Sequence, residues 1–278
     1  MNQMVDLSAW IGRTEKVPAD IVTPRMNACF AATFGDVMAE VEGAPAGLHW
    51  CLSPPTAMPN DLGPDGHPAK GGFLPPVPLP RRMWASGSVE FLSELRVGDV
   101  VNKSSKIKSI DWKTGKTGQM CFVTVAHEYA SERGVAIRED QNIVYRAAPD
   151  GSTARPEPKY CEKVFDHQTE IDVDTVRLFR YSAMTFNAHR IHYDLPYATG
   201  VEHYPDLVVH GPLQATLLLN FAARSMGCMP KKFSFRGVAP ATGAQTLKLG
   251  LTRTKENEFS MSVIGENGSE TMTGSATW

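Results

Sequence analysis

The sequence predicts an α+β protein built from two copies of one helix-plus-antiparallel-sheet unit, and three observations carry that prediction. A helix opening at Gly211-Pro212 is apolar nearly all round, the strands that end the chain alternate with period two, and a stretch of the first half aligns without a gap on one in the second. A helix with no polar face needs an enclosure, and a sheet with one apolar face needs something to cover.

In the second half, the helical pattern runs from Thr175 to about Thr185, with Asp172 or Asp174 as N-cap and Val176, Leu178, Phe179 and Tyr181 as its apolar positions. Asn187 to His192 reads as an irregular turn, and Asp194 with Pro196 starts a short helix carrying Tyr197 and Ala198. The third helix, Leu213 to about Ser225, is closed by Gly227. Leu247, Leu249 and Leu251 then alternate with polar residues, Phe259 to Val263 alternates again after the turn Lys255-Glu256-Asn257, and Asn267-Gly268 is a hairpin turn into a last strand ending at Trp278.

The first half repeats this order. Placing Thr23 over Thr175 matches Thr23/Thr175, Arg25/Arg177, Ala31/Ala183, Thr33/Thr185 and Phe34/Phe186, five identities in fourteen positions. Alternating strands follow at Ser88–Phe91, 97–109, 121–129 and 141–146. The expected organisation is a first unit at 1–148, a linker at 149–160 rich in turn formers, and a second unit at 161–278. Residues 52–80 hold nine prolines, which rules out regular structure and predicts a long ordered loop; such loops often cover a site, and the apolar end Phe73 to Leu79 favours packing.

Composition narrows the function classes. A chain of 278 residues at 42% hydrophobic can bury a large core, and no run approaches a membrane span. The formal charge of −2 without a basic run argues against a nucleic-acid partner. Five widely spaced cysteines without a CxxC fit free thiols in a reducing cytoplasm. The first residues lack the charged start and long apolar stretch of a secretory signal, so the protein is expected to stay where it is made.

Four of the eight histidines fall within residues 181–213, which marks this segment for chemistry. Asn187 and His192 form a polar pair in the turn, and Gly211 offers a backbone N–H at the start of a buried helix. A general base and an anion-stabilising amide thus lie in one segment. The first copy has no histidine at the position of His192, so if one copy works, it is the second. His189 and His192 as zinc ligands lack a third ligand at recognisable spacing, and no metal is expected. His210 is expected to be structural, orienting the turn that exposes the Gly211 amide. Tyr181 and Ser182 line a pocket or pack in the core, while Lys231, Lys232 and Arg236 either meet phosphates or form a solvated basic face.

The run Phe186-Asn187-Ala188-His189-Arg190-Ile191-His192-Tyr193-Asp194, with Val209-His210-Gly211-Pro212-Leu213, resembles the signature of the MaoC-like (R)-specific enoyl-thioester hydratases and dehydratases. It is most similar to their double hot-dog subgroup with a degenerate N-terminal half, which holds fungal mitochondrial 3-hydroxyacyl-thioester dehydratases and bacterial mesaconyl-CoA hydratases. The resemblance covers essentially the whole chain, Pro80 to Trp84 and Phe233 to Arg236 included. It implies a hot-dog fold, a long helix wrapped by an antiparallel sheet, in two copies. It places His192 at the catalytic histidine, Asn187 where the broad family has aspartate, and Gly211 at the oxyanion-hole glycine; His189 and Arg190, beside them in sequence, are candidate substrate contacts. The implied reaction is hydration of an α,β-unsaturated acyl-CoA, a short branched or dicarboxylic one such as mesaconyl-CoA, with no cofactor beyond the coenzyme A of the substrate, in a homodimer. The alternatives are the reverse dehydration in fatty acid synthesis and a non-catalytic thioester-binding module. A dicarboxylic acyl group would need a cation at the far end of its tunnel, for which Arg25, Arg177, Arg180 and Arg190 are candidates.

Overall fold

The duplication is written in the strand order. A computed structural model describes residues 5–115, 118–148 and 160–278, so the expected linker lies, apart from Tyr160, outside the described residues. The first half contains β1 (Thr14–Lys16), β2 (Asp20–Ile21), α1 (Pro24–Phe34), β3 (Arg81–Phe91), β4 (Val100–Gly115), β5 (Gly118–Ser131) and β6 (Gly134–Arg146). The second contains β7 (His167–Val173), α2 (Thr175–Thr185), α3 (Leu195–Gly200), α4 (Gly211–Met226), β8 (Lys232–Gly237), β9 (Gln245–Lys255), β10 (Glu258–Ile264) and β11 (Glu270–Thr277). One antiparallel sheet runs β1-β4-β5-β6-β3-β8-β11-β10-β9-β7, with β2 also on β4. Outward from the central β3–β8 pair, both halves follow the same path, so an approximate two-fold passes between those strands. They pair from Ser86↔Arg236 to Glu90↔Lys232.

Helix ends follow local chemistry. Thr23 caps α1 by accepting from the Met26 N–H at 3.1 Å, and Asp174 caps α2 by accepting from the Arg177 N–H at 2.8 Å. Of the two expected caps for α2, Asp174 takes the role, and Asp172 accepts from Thr246 Oγ1 at 2.7 Å. The caps pair Thr23 with Asp174, one residue away from the register of the sequence identities. Both helices have eleven residues. They pack together, with Phe34 edge-on to Tyr181 at 5.9 Å and Arg177 paired with Asp36 at 2.6 Å.

The second half wraps its sheet round α4, buried at every position from Leu213 to Ala223. Each Leu enclosed there contributes roughly 1.5–3 kcal/mol. Its polar residues are satisfied: Gln214 Oε1 accepts from Thr271 Oγ1 at 2.7 Å, and Asn220 donates to the Ala46 carbonyl at 2.7 Å. The copies diverge at this helix. Between α1 and β3 the described residues hold no counterpart of α4; a 3-10 turn, Leu48–Cys51, lies there instead. Proline at nine positions in the following segment forbids a long helix.

That proline-rich loop is ordered. Phe73, Leu74, Val77 and Leu79 pack on a second apolar cluster formed by Ile107, Val123, Val125, Ile143 and Tyr145 of the first-half sheet. Its earlier part lies over the second half: the Asp65 carbonyl accepts from the Arg190 N–H at 2.9 Å, and the Pro64 carbonyl from Arg190 Nη1 at 3.0 Å.

Candidate active site

A cavity of about 2670 Å³ runs between the loop, the turn after α2 and the start of α4. Small-molecule sites hold roughly 300–1,000 Å³, so a long thioester has room. Of the residues singled out in the sequence, Tyr181, Asn187, His189, His192, Gly211 and Arg236 line it.

His192 sits at the end of the 3-10 turn Arg190–His192, 7% exposed. Its Nδ1 lies 2.7 Å from the Val208 carbonyl oxygen. A carbonyl only accepts, so Nδ1 carries the proton and Nε2 presents a lone pair. Burial holds the imidazole down to about 3, against a smaller opposing effect from the Val208 hydrogen bond. At neutral pH the ring is an uncharged base. The His210 ring stacks on it at 3.6 Å and is fixed in turn by Ser182 Oγ, 2.8 Å from His210 Nε2. His210 and Ser182 thus position other groups, as residues outside the cavity wall.

The next residue after His210 is Gly211, the first of α4. The first N–H groups of a helix have no partner within it, and the helix dipole adds positive potential there. A side chain at 211 would project towards the Trp84 carbonyl, 3.6 Å from a Cβ built on Gly211. Asn187, after the left-handed Phe186, accepts the His189 N–H on Oδ1 at 2.9 Å. Its Oδ1 therefore has a donor, and its NH2 group keeps N–H bonds to offer to an acceptor.

The loop brings two residues that sequence reasoning missed. His67 Nδ1 lies 2.9 Å from Asp65 Oδ2, and the His67 ring is 4.2 Å from that of His189, which stands perpendicular to His192 at 5.3 Å. Gly66 between them has φ +88°, and a Cβ there would collide with the Ala188 carbonyl oxygen, so the loop seats backbone to backbone on the turn that carries His189 and His192. Burial lowers the pKa of His67 and, with the neighbouring imidazoles, that of His189. The ligating atoms of Asp65, His67 and His189 lie within 4.8 Å of one another, so among the described residues these three are spaced as a metal ion would require. The Asp65–His67 hydrogen bond satisfies two of them without one.

Three expected substrate contacts lie elsewhere. Arg190 is a clamp: it bonds Asp194 Oδ2 at 2.8–2.9 Å and the Pro64 carbonyl, and lies over the Tyr197 ring at 4.1 Å. Lys231 and Lys232 are exposed at the opposite end of β8 from Arg236, Lys232 facing Glu90 at 3.4 Å. A six-residue strand separates its ends by about 16 Å, which explains why Arg236 reaches the cavity and the lysines do not.

Where the first half lacks a long helix, the cavity continues into a polar chamber lined by Lys103, Ser105, His127, Glu139, Gln141 and Asn142. Trp50 Nε1 donates to Glu139 Oε1 at 3.0 Å, and burial pushes the Glu139 carboxyl up to about 7.

A family model described as hydroxyacyl-thioester dehydratase type 2 matches residues 47–243. The mesaconyl-C(4)-CoA hydratase of Chloroflexus aurantiacus is 40% identical over 266 residues, 95% of this chain and 94% of that protein. The mitochondrial hydroxyacyl-thioester dehydratase type 2 of Schizosaccharomyces pombe is 26% identical, covering 78% of this chain and 80% of its own. Among solved structures, a MaoC-like dehydratase from Phytophthora capsici superposes with TM-score 0.71 at 14% identity over 99% of this chain and 98% of that one. A Mycobacterium tuberculosis protein described as a double hotdog fold superposes with TM-score 0.61 at 12% identity over 96% of each chain. The fold is the double hot-dog, and the chain belongs to the hydroxyacyl-thioester dehydratase type 2 family.

Proposed function

We propose that the protein is a hydro-lyase that adds water across the double bond of an α,β-unsaturated acyl-CoA, and that its substrate is mesaconyl-C4-CoA or a close dicarboxylic relative. The observation that carries the reaction is the neutral His192, its Nε2 unencumbered, stacked on the residue that precedes the Gly211 amide. His192 Nε2 takes a proton from water as the oxygen bonds to the β-carbon. The π electrons move to the thioester oxygen, where the Gly211 N–H and the α4 dipole stabilise the enolate. The imidazolium then returns its proton to the α-carbon. Asn187, an amide and so no base, orients the water through its N–H groups.

Two observations support a short polar acyl group over the long chain of fatty acid synthesis. The chamber beyond the site is lined by Lys103, Glu139, His127 and Gln141, a polar wall that an alkyl tail would strip of solvent without offering any hydrogen bond in return. The 40% identical relative is named for mesaconyl-C4-CoA. A homodimer is the assembly proposed, with the exposed Val176 and Phe179 of α2 as the face to bury. Five free cysteines support a reducing, cytoplasmic setting. Loss of enoyl-thioester absorbance with mesaconyl-C4-CoA tests the reading; turnover of neither this thioester nor crotonyl-CoA would overturn it.

A further inference from the structure

We propose that Arg82 and the imidazole of His189, with His67 held beside them by Asp65, form a subsite for a carboxylate carried on the β-carbon of the substrate. The inference rests on the hydratase reading and names the substrate class of that site. A thioester at C4 of mesaconate leaves both the methyl group and the free carboxylate on the β-carbon, the carbon that water attacks. The carboxylate must therefore lie beside His192 and not at the end of a tunnel.

The four arginines that the sequence offered do not meet that requirement. Arg177 is paired with Asp36 at 2.6 Å, Arg180 donates to the Ala32 carbonyl at 2.7 Å, and Arg190 clamps the loop. Arg25 is exposed on α1, and none of the four lines the cavity.

Arg82 does line it. It lies opposite Tyr145 in the β3–β6 pairing and two residues before Trp84, on the strand face from which the Trp84 indole meets Trp50 and Phe235 inside the molecule. Its Nη2 donates to the Pro68 carbonyl at 3.1 Å, which fixes the guanidinium beside the loop. A guanidinium has five N–H donors in a planar fork, so the matching face for a carboxylate is retained.

His189 supplies the second donor. The residue is 8% exposed, and among the described residues its ring makes no hydrogen bond, although a neutral imidazole always carries one N–H. The ring stands between those of His67 and His192, in the cavity wall. A donor in a cavity wall without a protein partner can take its acceptor from a ligand.

Asp65 explains why an acidic residue stands so near an anion site. Its carboxylate accepts from both the backbone N–H of His67, at 3.1 Å, and His67 Nδ1, at 2.9 Å, and is not part of the cavity wall. In the empty protein it offsets the Arg82 charge, and both imidazoles are kept neutral by burial. Of the cations in the cavity wall, Arg82 is the one whose charge acts on both His67 and His189.

The test uses the full-length protein and two thioesters that differ in one group: mesaconyl-C4-CoA and 3-methylcrotonyl-CoA, in which a methyl replaces the carboxylate on the same carbon. For Arg82→Gln, the ratio of kcat/KM for the first to that for the second is expected to fall about 100-fold, the size of a lost charged hydrogen-bonded pair. For His189→Leu, the ratio falls about 10-fold. Equal losses on both thioesters would assign the residues to the scaffold, and an unchanged ratio would remove Arg82 from the site; either overturns the proposal. Inhibition of the unmodified protein by succinyl-CoA and butyryl-CoA gives the same comparison without a variant. Tighter binding of succinyl-CoA by at least about 10-fold is expected, and equal inhibition overturns the subsite. Should the protein hydrate neither enoyl thioester, the hydratase reading fails, and the inhibition pair still reports on the carboxylate.

Discussion

His192 has two nitrogens with separate duties, and the Val208 carbonyl decides which is which. His192→Ala removes the base, and hydration should fall by roughly 10²–10⁴-fold. The thermal midpoint should be checked beside the rate, because the substitution also strips the Val208 carbonyl of its donor. A folded variant with more than a tenth of the activity would show that another group takes the proton. At Asn187 the acceptor for the His189 N–H is Oδ1, which aspartate retains and alanine lacks. Asn187→Asp should therefore keep the turn and stay within about tenfold of the parent rate, while Asn187→Ala loses more through misplacement of the water. Equal inactivity of the two would make the amide N–H essential and reassign Asn187 to holding the substrate. The histidine, the asparagine and the helix-start glycine were legible because they lie within 25 residues of one another in a segment with strong punctuation. His67 and Arg82 were not, because more than 100 residues separate each from His189, and nothing in a local pattern reports such a contact.

At the scale of elements, α4 and the last hairpin were legible from periodicity, since one lacks a polar face and the other alternates. The divergence of the two copies was harder to read. Proline content forbids a long helix in 52–80, yet what takes its place, a short turn beside a polar chamber, depends on packing by residues from β4, β5 and β6. The loop itself joins both halves of the molecule. Gly66 lets its backbone rest on Ala188 at positive φ, so Gly66→Ala meets both backbone strain and a collision that no rotamer relieves. We expect this variant to fold, to lose the Asp65–Arg190 backbone contact, and to raise KM for the dicarboxylic thioester by about tenfold or more as His67 is displaced. An unchanged KM would mean that the loop is a cover without a part in binding.

The whole molecule buries an unusual share of its imidazoles, with a consequence for acid stability. Burial holds His49, His127 and His192 down to about 3, and His67, His189 and His210 are also lowered. An unfolded histidine binds a proton below about pH 6.5. Between that value and about 3 the unfolded chain thus holds more protons than the folded one, and stability falls as the pH falls through that window. Glu139, raised to about 7, works the other way but is one group against several. Each net proton contributes about 1.4 kcal/mol per pH unit, so the urea midpoint should drop steeply from pH 7.5 to pH 5. A flat midpoint would contradict neutral imidazoles in the core. The central β3–β8 pair carries the second consequence. Residues 160–278 alone would expose the full edge of β8, lose the Ala46 acceptor of Asn220, and uncover apolar α4 surface that the first half now encloses. Because β3 and β8 run antiparallel about an approximate two-fold, a second β8 can take the place of β3 with little change of geometry. The fragment should accordingly be insoluble or a new dimer, as measured by light scattering, and without activity on the dicarboxylic thioester, because His67 and Arg82 leave with the first half. A monodisperse, active monomer would show that the two halves are independent and that the site needs nothing from the first.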